Sequence, residues 1–437
     1  MIVLSHFRRN APASLANHRH YAQLHGYRHE AVDASCMSDD LSLRLFYKYE
    51  VLLNTLRHAQ SDECILLLSE SAAIIEPVAF ASLLGHREWL LVRTGSDSLP
   101  QVDVQFWRNT QAVRDIIFGI VRKCRVGGDP VMSEAELFTG LETQSYMMIL
   151  EGFCPVMHAG YNFDPAWTRV PTFAISIDDC PDNPRSKGVC ARYCEVLVEH
   201  VNRRRAAGLP VFLFPWYAES QTEQRSTYNP GRAIALVTLY TPNIGIYARI
   251  SERNFRRYCE AHGYTLYVHR DIPSEIGLNA CGNWYKPWLL HGYLQHHEWV
   301  FWMDADVLVS RQQQPLEPML EQRDYVLAHD VGQWSFNSGV MGFRRTAPNN
   351  AMLCDLMADV TALADRSSVY AGDGDQSCFI NALARAGLLA EDAVLDLVSL
   401  NTPWMFRCPD SFIVHYYGMW PEMRAMMMAH DEMLFEK

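Results

Sequence analysis

One pattern of residues occurs twice in this chain, each time at the end of a predicted helix. The repeated residues have the same spacing in both places: Asn17, Tyr21, His25, Gly26 and Tyr27, then Asn254, Tyr258, His262, Gly263 and Tyr264. Shorter pairs follow in the same order, among them Tyr47-Lys48 and Tyr285-Lys286. Matches in a fixed order over so long an interval indicate that a whole domain is duplicated, rather than a short repeat. Two unrelated domains that match by chance are the alternative.

Both copies alternate between strand and helix patterns. An apolar run at 65–68 is typical of a buried strand, and the amphipathic stretch 41–59 is typical of a helix. This alternation predicts mostly parallel sheets covered by helices. We therefore predict an α/β fold with two tandem Rossmann-like domains, at 1–218 and 232–437, joined by a polar linker at 219–231.

Composition limits the classes of function. The chain of 437 residues is 49% hydrophobic and 20% charged, which is enough apolar material for a substantial core. Its net charge of -12 argues against a nucleic-acid-binding surface, since phosphate recognition needs clustered Lys and Arg. Because no signal peptide and no apolar run of ~20 residues is visible, we predict a cytoplasmic protein without a transmembrane segment. Peripheral membrane contact stays open, and the 12 cysteines are expected to be free thiols.

The candidate metal ligands are two carboxylates that follow the apolar, aromatic run 299–303. That run predicts a core strand, and Asp304 and Asp306 stand where it ends. Residues two apart on an extended chain point to one side, so both carboxylates can face one cation. Hard oxygen ligands suit Mg²⁺ or Mn²⁺, with substrate phosphates completing the coordination. An acidic turn that binds no metal is the alternative.

The first copy lacks this acidic pair. Ser69-Glu70-Ser71 stands in place of Asp304-Ala-Asp306, and two hydroxyl groups cannot replace two carboxylates as ligands of a hard cation. The segment 156–160 is a candidate for the first copy's form of the histidine motif named in the next paragraph. We predict that the first copy is catalytically inactive, with a structural or acceptor-binding role.

A series of motifs follows in the second copy: Tyr258-Cys-Glu-Ala-His-Gly263, Trp284-Tyr-Lys286, Trp302-Met-Asp-Ala-Asp306, Asn337-Ser-Gly339, Gly374-Asp-Gln-Ser377 and His415-Tyr-Tyr-Gly418. In this order they resemble the Golgi α-galactosyl/α-xylosyl transferase family, which includes yeast galactomannan galactosyltransferases and plant xyloglucan xylosyltransferases. The resemblance covers about 232–419. It implies the GT-A fold, a nucleotide-sugar donor that is usually UDP-linked, Mn²⁺, and retention of the anomeric configuration. The first copy would then be a degenerate GT-A domain. Gly374 departs from the family, which has an aspartate there.

The same resemblance implies a role for each candidate site residue. It assigns the metal to three ligands, namely Asp304, Asp306 and His415. The donor site would consist of Thr238 and Tyr240 at the nucleotide, Lys286 at the phosphates beside Asp304, and Asp330 and Asn337 on the sugar or acceptor side, with Gly418 closing the histidine motif. The catalytic groups would be Asp375 and Gln376, beneath the reacting anomeric carbon.

These assignments predict a Mn²⁺-dependent retaining glycosyltransferase that moves a hexose or pentose from a UDP-sugar to a glycan or another hydroxyl-bearing acceptor. Mg²⁺ is the second candidate ion, although a neutral imidazole nitrogen such as that of His415 suits Mn²⁺ better. A divalent ion would stabilise the charge that develops on the departing diphosphate. The alternative is a non-catalytic protein that binds a sugar nucleotide or a glycan.

Overall fold

The computed structural model describes residues 1–37, 39–74, 77–93, 100–125, 131–145, 149–151, 173–176, 189–209, 223–331, 334–367, 374–390, 393–418 and 421–435. The chain divides into two compact units. The first unit comprises Met1–Cys154, Phe163–Asp179 and Cys190–Val211, and the second comprises Phe212–Lys437 with the short segments Pro155–Asn162 and Cys180–Val189. Residues 219–222 of the predicted linker and the segment 156–160 lie outside the described residues.

The first unit alternates strands and helices along the chain. Its elements are β1 (Ile2–Phe7), α1 (Pro12–His25), β2 (Arg28–Asp33), α2 (Leu41–His58), β3 (Cys64–Ser69), β4 (Ala72–Ile74), α3 (Phe80–Leu84), β5 (Trp89–Leu90), β6 (Val92–Arg93), β7 (Val104–Arg108), α4 (Gln111–Arg125), β8 (Gln144–Ser145), β9 (Ile149–Glu151), β10 (Ala174–Ser176) and α5 (Val189–Ala206). A 3-10 helix, Ala135–Phe138, follows α4.

The second unit has the same alternation with further elements. They are β11 (Arg225–Tyr228), β12 (Ile234–Leu239), α6 (Gly245–His262), β13 (Thr265–His269), α7 (Lys286–Leu294), β14 (Trp299–Met303), β15 (Val307–Val309), α8 (Glu317–Leu320), β16 (Tyr325–Ala328), β17 (Val340–Arg344), α9 (Ala347–Ala362), α10 (Asp375–Arg385), β18 (Val394–Leu395), α11 (Leu397–Leu400), β19 (Thr402–Pro403), β20 (Ile413–His415) and α12 (Pro421–Phe435).

The two units share one sheet topology. The main sheet of the first unit has the strand order β2-β1-β3-β7-β5, and the same order recurs in the second as β13-β12-β14-β17-β16. In both units the first three strands are parallel, and the fourth strand pairs antiparallel with the strand on each side of it. Each unit also has a small three-stranded sheet, β4-β10-β9 or β15-β20-β19. The prediction of two tandem α/β domains is confirmed, with sheets that are mixed rather than wholly parallel.

The repeated residues perform the same task in each unit. Asn17 accepts a hydrogen bond from the Ile74 amide at 2.7 Å and donates to the Ile74 carbonyl at 3.2 Å. Asn254 makes the same pair of bonds to Val309, at 2.8 and 3.1 Å. Each asparagine therefore fastens a strand of the small sheet to the helix beside the main sheet. Gly26 follows α1 and Gly263 follows α6, and both have the left-handed backbone conformation, which favours glycine.

The boundary between the predicted domains needs one correction. Arg225–Tyr228, which falls within the predicted linker, forms strand β11 and pairs antiparallel with β13 at the edge of the second unit's sheet. Its residues alternate between exposed and half-buried, so the strand has a polar sequence that a composition rule assigns to a loop. Among the described helices, none combines the length and apolar character that crossing a bilayer requires.

Candidate active site

The acidic pair lies in a tight turn between two strands. All five residues of β14 are buried, and the turn at Asp304–Asp306 leads directly into β15. The Asp304 amide donates to the Gly339 carbonyl at 2.8 Å, and the Tyr416 amide donates to the Asp306 carbonyl at 2.8 Å. The expected reason for the pairing of the carboxylates was therefore wrong, because Asp306 is in a turn and not on extended chain.

Strand pairing brings a histidine to the acidic pair from a distant part of the sequence. In the small sheet, β15 and β20 are antiparallel and Val307 lies opposite His415. One ligand atom from each of Asp304, Asp306 and His415 lies within 4.8 Å of the other two. The three predicted ligands thus form a candidate metal site, in which His415 Nε2 is 3.1 Å from Asp306 Oδ1.

A glycine and an asparagine surround the histidine ring. A Cβ atom on Gly339 would stand 2.3 Å from His415 Cε1, so the ring occupies space that only glycine leaves free. On the other side, His415 Nδ1 is 3.2 Å from Asn401 Oδ1, and Asn401 is buried. Asn401 also donates to Asn337 Oδ1 at 2.9 Å. The sequence did not predict Asn401, since no motif contains it.

The carboxylate of Asp306 has a permanent cation beside it. Arg424 Nη1, on α12, lies 3.0 Å from Asp306 Oδ2. Burial alone would raise the pKa of Asp306, but the charge of Arg424, together with the hydrogen bond from His415, outweighs it and holds that pKa well below its usual range. Asp306 is thus an anion at neutral pH. Arg424 was also missed, because α12 is recognisable in the sequence only as a methionine-rich helix.

Lys286 joins the acidic pair to the predicted catalytic carboxylate. Its ammonium group is buried, 3.0 Å from Asp304 Oδ1, 2.8 Å from Asp375 Oδ2 and 3.2 Å from the Ser338 carbonyl. Burial acts to lower the pKa of Lys286, but the two carboxylates outweigh it and raise that pKa above its ordinary value. An ammonium group has three N–H donors, so all are in use. The predicted contact with a donor phosphate would require one of these bonds to be exchanged.

The residues predicted for the sugar side form one hydrogen-bonded group. Gln376 accepts from the Ser338 amide at 3.1 Å and donates to Asp330 Oδ2 at 3.1 Å. Asn337 donates to the same Asp330 oxygen at 3.1 Å, and Asp375 accepts from Ser338 Oγ at 3.1 Å. The structure therefore brings Asp330, Asn337, Asp375 and Gln376 together beside Lys286.

The residues predicted for the nucleotide side are less closely joined to this group. Thr238 is buried near the end of β12, and its hydroxyl has no hydrogen-bond partner among the described residues. Tyr240 donates its hydroxyl to Glu252 Oε2 at 2.7 Å, so its one donor is used away from the acidic pair. Gly418 is exposed and has a φ of 72°, three residues after the histidine. Their nucleotide contacts stay predictions.

In the first unit, the positions of the three ligands are occupied by serine. The Ser69 amide donates to the Asp103 carbonyl at 3.0 Å, as the Asp304 amide does to Gly339, so these positions correspond. Ser71 follows two residues later, at the place of Asp306. In the small sheet, Ser176 lies opposite Ala72, which is the register of His415 opposite Val307. At these three positions the described part of the first unit offers no carboxylate and no imidazole.

The surrounding framework is retained in the first unit. Lys48 is buried and lies 2.5 Å from Glu134 Oε1, just before the 3-10 helix, much as Lys286 pairs with Asp375. Gln101 accepts from the Asp103 amide at 3.1 Å, as Asn337 accepts from the Gly339 amide at 2.8 Å. The first unit has therefore kept the structural bonds of the site and lost the candidate ligands.

The second unit has a cavity of about 640 Å³ that reaches the residue before Lys286. It is lined by uncharged residues, including Ser274, Asn279, Cys281 and Tyr285, the last of which directly precedes Lys286. The described lining suits an uncharged group that offers hydroxyls.

No family model and no curated protein matches the chain. Several solved structures resemble part of it. One is a glycosyltransferase involved in glycosylation of the major capsid of PBCV-1, with 21% identity, a TM-score of 0.37, and coverage of 45% of this chain and 99% of that one. A second is the galactosyltransferase LgtC with donor and acceptor sugar analogues, at 12% identity, 45% and 95% coverage and a TM-score of 0.28. A third is mouse xyloside xylosyltransferase 1, at 14% identity, 42% and 97% coverage and a TM-score of 0.26. At these identities and TM-scores, the resemblance does not assign a function to the chain.

Proposed function

We propose that the second unit is a Mn²⁺-dependent retaining glycosyltransferase of the GT-A type that uses a UDP-sugar. The observation that carries this proposal is the convergence of Asp304, Asp306 and His415 at one point, from parts of the chain more than 100 residues apart. The replacement of all three by serine in the first unit supports it, since the fold evidently does not need these side chains. The ordered motifs shared with the Golgi α-galactosyl/α-xylosyl transferases point the same way.

The three side chains fit a divalent ion of the manganese type. Two carboxylates supply hard oxygen ligands, and an imidazole nitrogen favours Mn²⁺ over Mg²⁺. The 3.1 Å between His415 Nε2 and Asp306 Oδ1 matches two adjacent ligands of one ion, since bonds of about 2.1 Å at a right angle place their ends about 3.0 Å apart. A metal held there would supply Lewis-acid stabilisation of the departing diphosphate.

The protein groups around the proposed ion hold both carboxylates in place, although burial outweighs the charge of Lys286 and raises the pKa of Asp304. Asp306 is kept ionised by Arg424, and Asp304 is held by Lys286 and by the indole of Trp302, whose Nε1 is 2.6 Å from Asp304 Oδ1. These partners restrict both carboxylates before any substrate arrives. A preorganised site of this kind does not have to reorient its dipoles as the leaving group departs.

The bonds of Asp375 favour a front-face route over a covalent intermediate. Its carboxylate is engaged by Lys286 and by the Ser338 hydroxyl, so it is poorly placed to act as a nucleophile. In a front-face reaction the glycosidic C–O bond to the diphosphate breaks, the acceptor oxygen bonds to the same face of the anomeric carbon, and the leaving phosphate takes the acceptor's proton. Asp375 and the Gln376 carbonyl would then stabilise the positive charge on the sugar.

The acceptor is proposed to be a glycan or another hydroxyl-bearing molecule. The cavity lined by Ser274, Asn279 and Tyr285 suits such a group, since its described lining carries no charge. For the first unit, with its serines in place of the ligands, we propose a structural or acceptor-binding role without catalysis.

Hydrolysis of nucleotide sugars by the purified full chain with Mn²⁺ tests the proposal. We expect release of UDP from one member of a donor panel, and a loss of at least about 100-fold in Asp306→Ala, which removes a ligand of the metal. The matched control is Ser71→Ala, at the corresponding place in the first unit, which should leave the rate unchanged. No turnover with any donor would reject the proposed activity. Mn²⁺-dependent binding of UDP without turnover would instead indicate the non-catalytic binding protein.

A further inference from the structure

Asn401 links the candidate metal ligand His415 to the backbone of the site. It is 1% exposed and lies at the end of α11, immediately before β19. Its Oδ1 is 3.2 Å from His415 Nδ1, and its Nδ2 is 2.9 Å from Asn337 Oδ1. Both polar ends of one buried side chain are thus in use.

The orientation of these amides follows from a backbone donor. The Gly339 amide, which can only donate, lies 2.8 Å from the Asn337 side-chain atom assigned as Oδ1, so that atom must be the oxygen. The Asn401 atom that faces the same oxygen must then be its NH₂ group. The oxygen of Asn401 is left to face His415, and the chain of bonds admits no flipped arrangement.

This orientation determines which nitrogen of the histidine carries a proton. An amide oxygen only accepts hydrogen bonds, so His415 Nδ1 has to be the donor. Nε2, the nitrogen turned to Asp306, donates to that carboxylate while it is protonated, and it has the lone pair once the ring is neutral because Nδ1 keeps its proton. Asn401 therefore selects the tautomer in which His415 can bind a metal through Nε2.

The first unit provides an internal comparison. Asn401 directly precedes Thr402, which pairs with Val414, whereas in the first unit Ile149 directly precedes Leu150, which pairs with Ile175. The position of Asn401 is thus occupied by isoleucine in the unit whose register places Ser176 at the position of His415. Gly339 is replaced there by Asp103. The residues that contact the histidine are therefore replaced in the unit that lacks it. The hydrogen bonds of Asn17 and Asn254, in contrast, are the same in both units.

We propose that Asn401 is a positioning residue that holds His415 in the Nδ1–H tautomer and so keeps Nε2 available to the metal. The inference rests on the proposed metal site of the second unit, and it adds a residue that no motif identifies. Asn401 acts through His415, and its own side chain need not contact the metal or the substrate.

Mn²⁺ binding to the full chain, followed by the electron paramagnetic resonance signal of free Mn²⁺, tests the role without relying on turnover. We expect Asn401→Ala to weaken Mn²⁺ binding by about 10–100-fold, the usual effect of losing a residue that orients a ligand. Asn401→Asp keeps an acceptor for the Nδ1 proton but loses the donor to Asn337 Oδ1, so it should bind Mn²⁺ more tightly than Asn401→Ala and less tightly than the natural chain. Asn401→Leu, which fills the same volume without polar atoms, should behave as Asn401→Ala does.

Asn349→Ala is the matched control. Asn349 is also a buried asparagine of the second unit, and it donates to the carbonyls of Asp324 and Arg344 at 2.6 and 2.9 Å. Its loss should lower the free energy of unfolding and leave Mn²⁺ affinity unchanged. Unchanged affinity in folded Asn401→Ala or Asn401→Leu, or binding in folded Asn401→Asp no tighter than in Asn401→Ala, would overturn the inference and leave the proposed function standing. Failure of the natural chain to bind Mn²⁺ would overturn both.

Discussion

The residue with least freedom in the site is Gly339. Because a Cβ there would meet His415 Cε1 at 2.3 Å and Nδ1 at 2.7 Å, Gly339→Ala has to displace the imidazole ring. We expect at least about a tenfold loss of Mn²⁺ affinity, with about 1–3 kcal/mol of destabilisation from overpacking. Titration with Mn²⁺ and urea unfolding measure the two effects.

Gly292→Ala is the control for that substitution. Gly292 lies in α7 with nothing within 4 Å of the added Cβ, so alanine should stabilise the helix by about 0.5–1 kcal/mol and leave Mn²⁺ affinity unchanged. Unaltered metal affinity in Gly339→Ala would show that His415 does not bind the ion from this position.

A second residue-scale prediction concerns His6 in the first unit. His6 is 2% exposed, neither ring nitrogen has a hydrogen-bond partner among the described residues, and burial, aided by Lys48 and Arg8, lowers its pKa to about 3. The unfolded chain takes up this proton near pH 6.5, so stability is lost as the pH falls below that value, by about 2 kcal/mol at pH 5. His6→Leu, which introduces the residue found at the corresponding position 239, should remove this loss.

Urea unfolding at pH 7.5 and pH 5.0, followed in the first unit, measures the effect of His6→Leu. His20→Leu, at an exposed position of the same unit, is measured at the same two pH values for comparison. If His6→Leu and the natural chain lose the same stability between the two pH values, the assignment of acid sensitivity to His6 is wrong.

The sequence located some site residues and missed others for a physical reason. Asp304 and Asp306 stand in a short motif whose chemistry is readable locally, and His415 was assigned through the resemblance to a known family. Asn401 and Arg424 reach the site only through the pairing of β19 with β20 and the packing of α12, which no local pattern specifies. The sequence identified Lys286 as a site residue. Its ion pairs with Asp304 and Asp375 could be seen only in the folded chain.

At the scale of elements, the small sheet holds the metal ligands in place. Asn254 satisfies the buried amide and carbonyl of Val309, and β15 leads back directly to Asp306. We expect Asn254→Ala to lower the free energy of unfolding of the second unit by about 2–4 kcal/mol, since the buried Val309 amide loses its partner and the buried Glu432 carboxylate loses a donor. It should also weaken Mn²⁺ binding, because β15 is then free to shift.

The duplicated motif supplies a matched variant for this prediction. Asn17→Ala removes the same two bonds, to Ile74 in β4, and should destabilise the first unit by a similar amount without changing Mn²⁺ affinity. Urea unfolding and Mn²⁺ titration of both variants measure these effects. Equal Mn²⁺ affinities in the two variants would contradict the role assigned to β15.

Elements with a continuous apolar run, an amphipathic pattern or a clear helix end were the ones that the sequence could predict. The strands β3, β12 and β14 and the helices α1, α2 and α6 have buried faces that dictate their patterns. The edge strand β11 was missed because its side chains are alternately exposed and half-buried. Its sequence is therefore polar, like that of a loop. The turn at Asp304–Asp306 was read as extended chain, since two residues are too few to show a period.

At the scale of the whole molecule, the two units share one sheet topology, and only the second has the candidate metal ligands. The duplication could be predicted because its repeated asparagine, tyrosine and glycine fasten a helix and a strand that both units need. The loss of the ligands was also readable, since serine cannot replace a carboxylate at a cation. The register of Ser176 and Ile149 with their neighbours could be seen only in the folded chain.

Diffraction from crystals soaked with Mn²⁺ and UDP, recorded at the manganese absorption edge, tests the central claim most directly. The account predicts one anomalous peak, among Asp304, Asp306 and His415, with the diphosphate of UDP against it and no peak beside Ser69 and Ser71. A peak elsewhere, or UDP bound without a metal among those three residues, would contradict it.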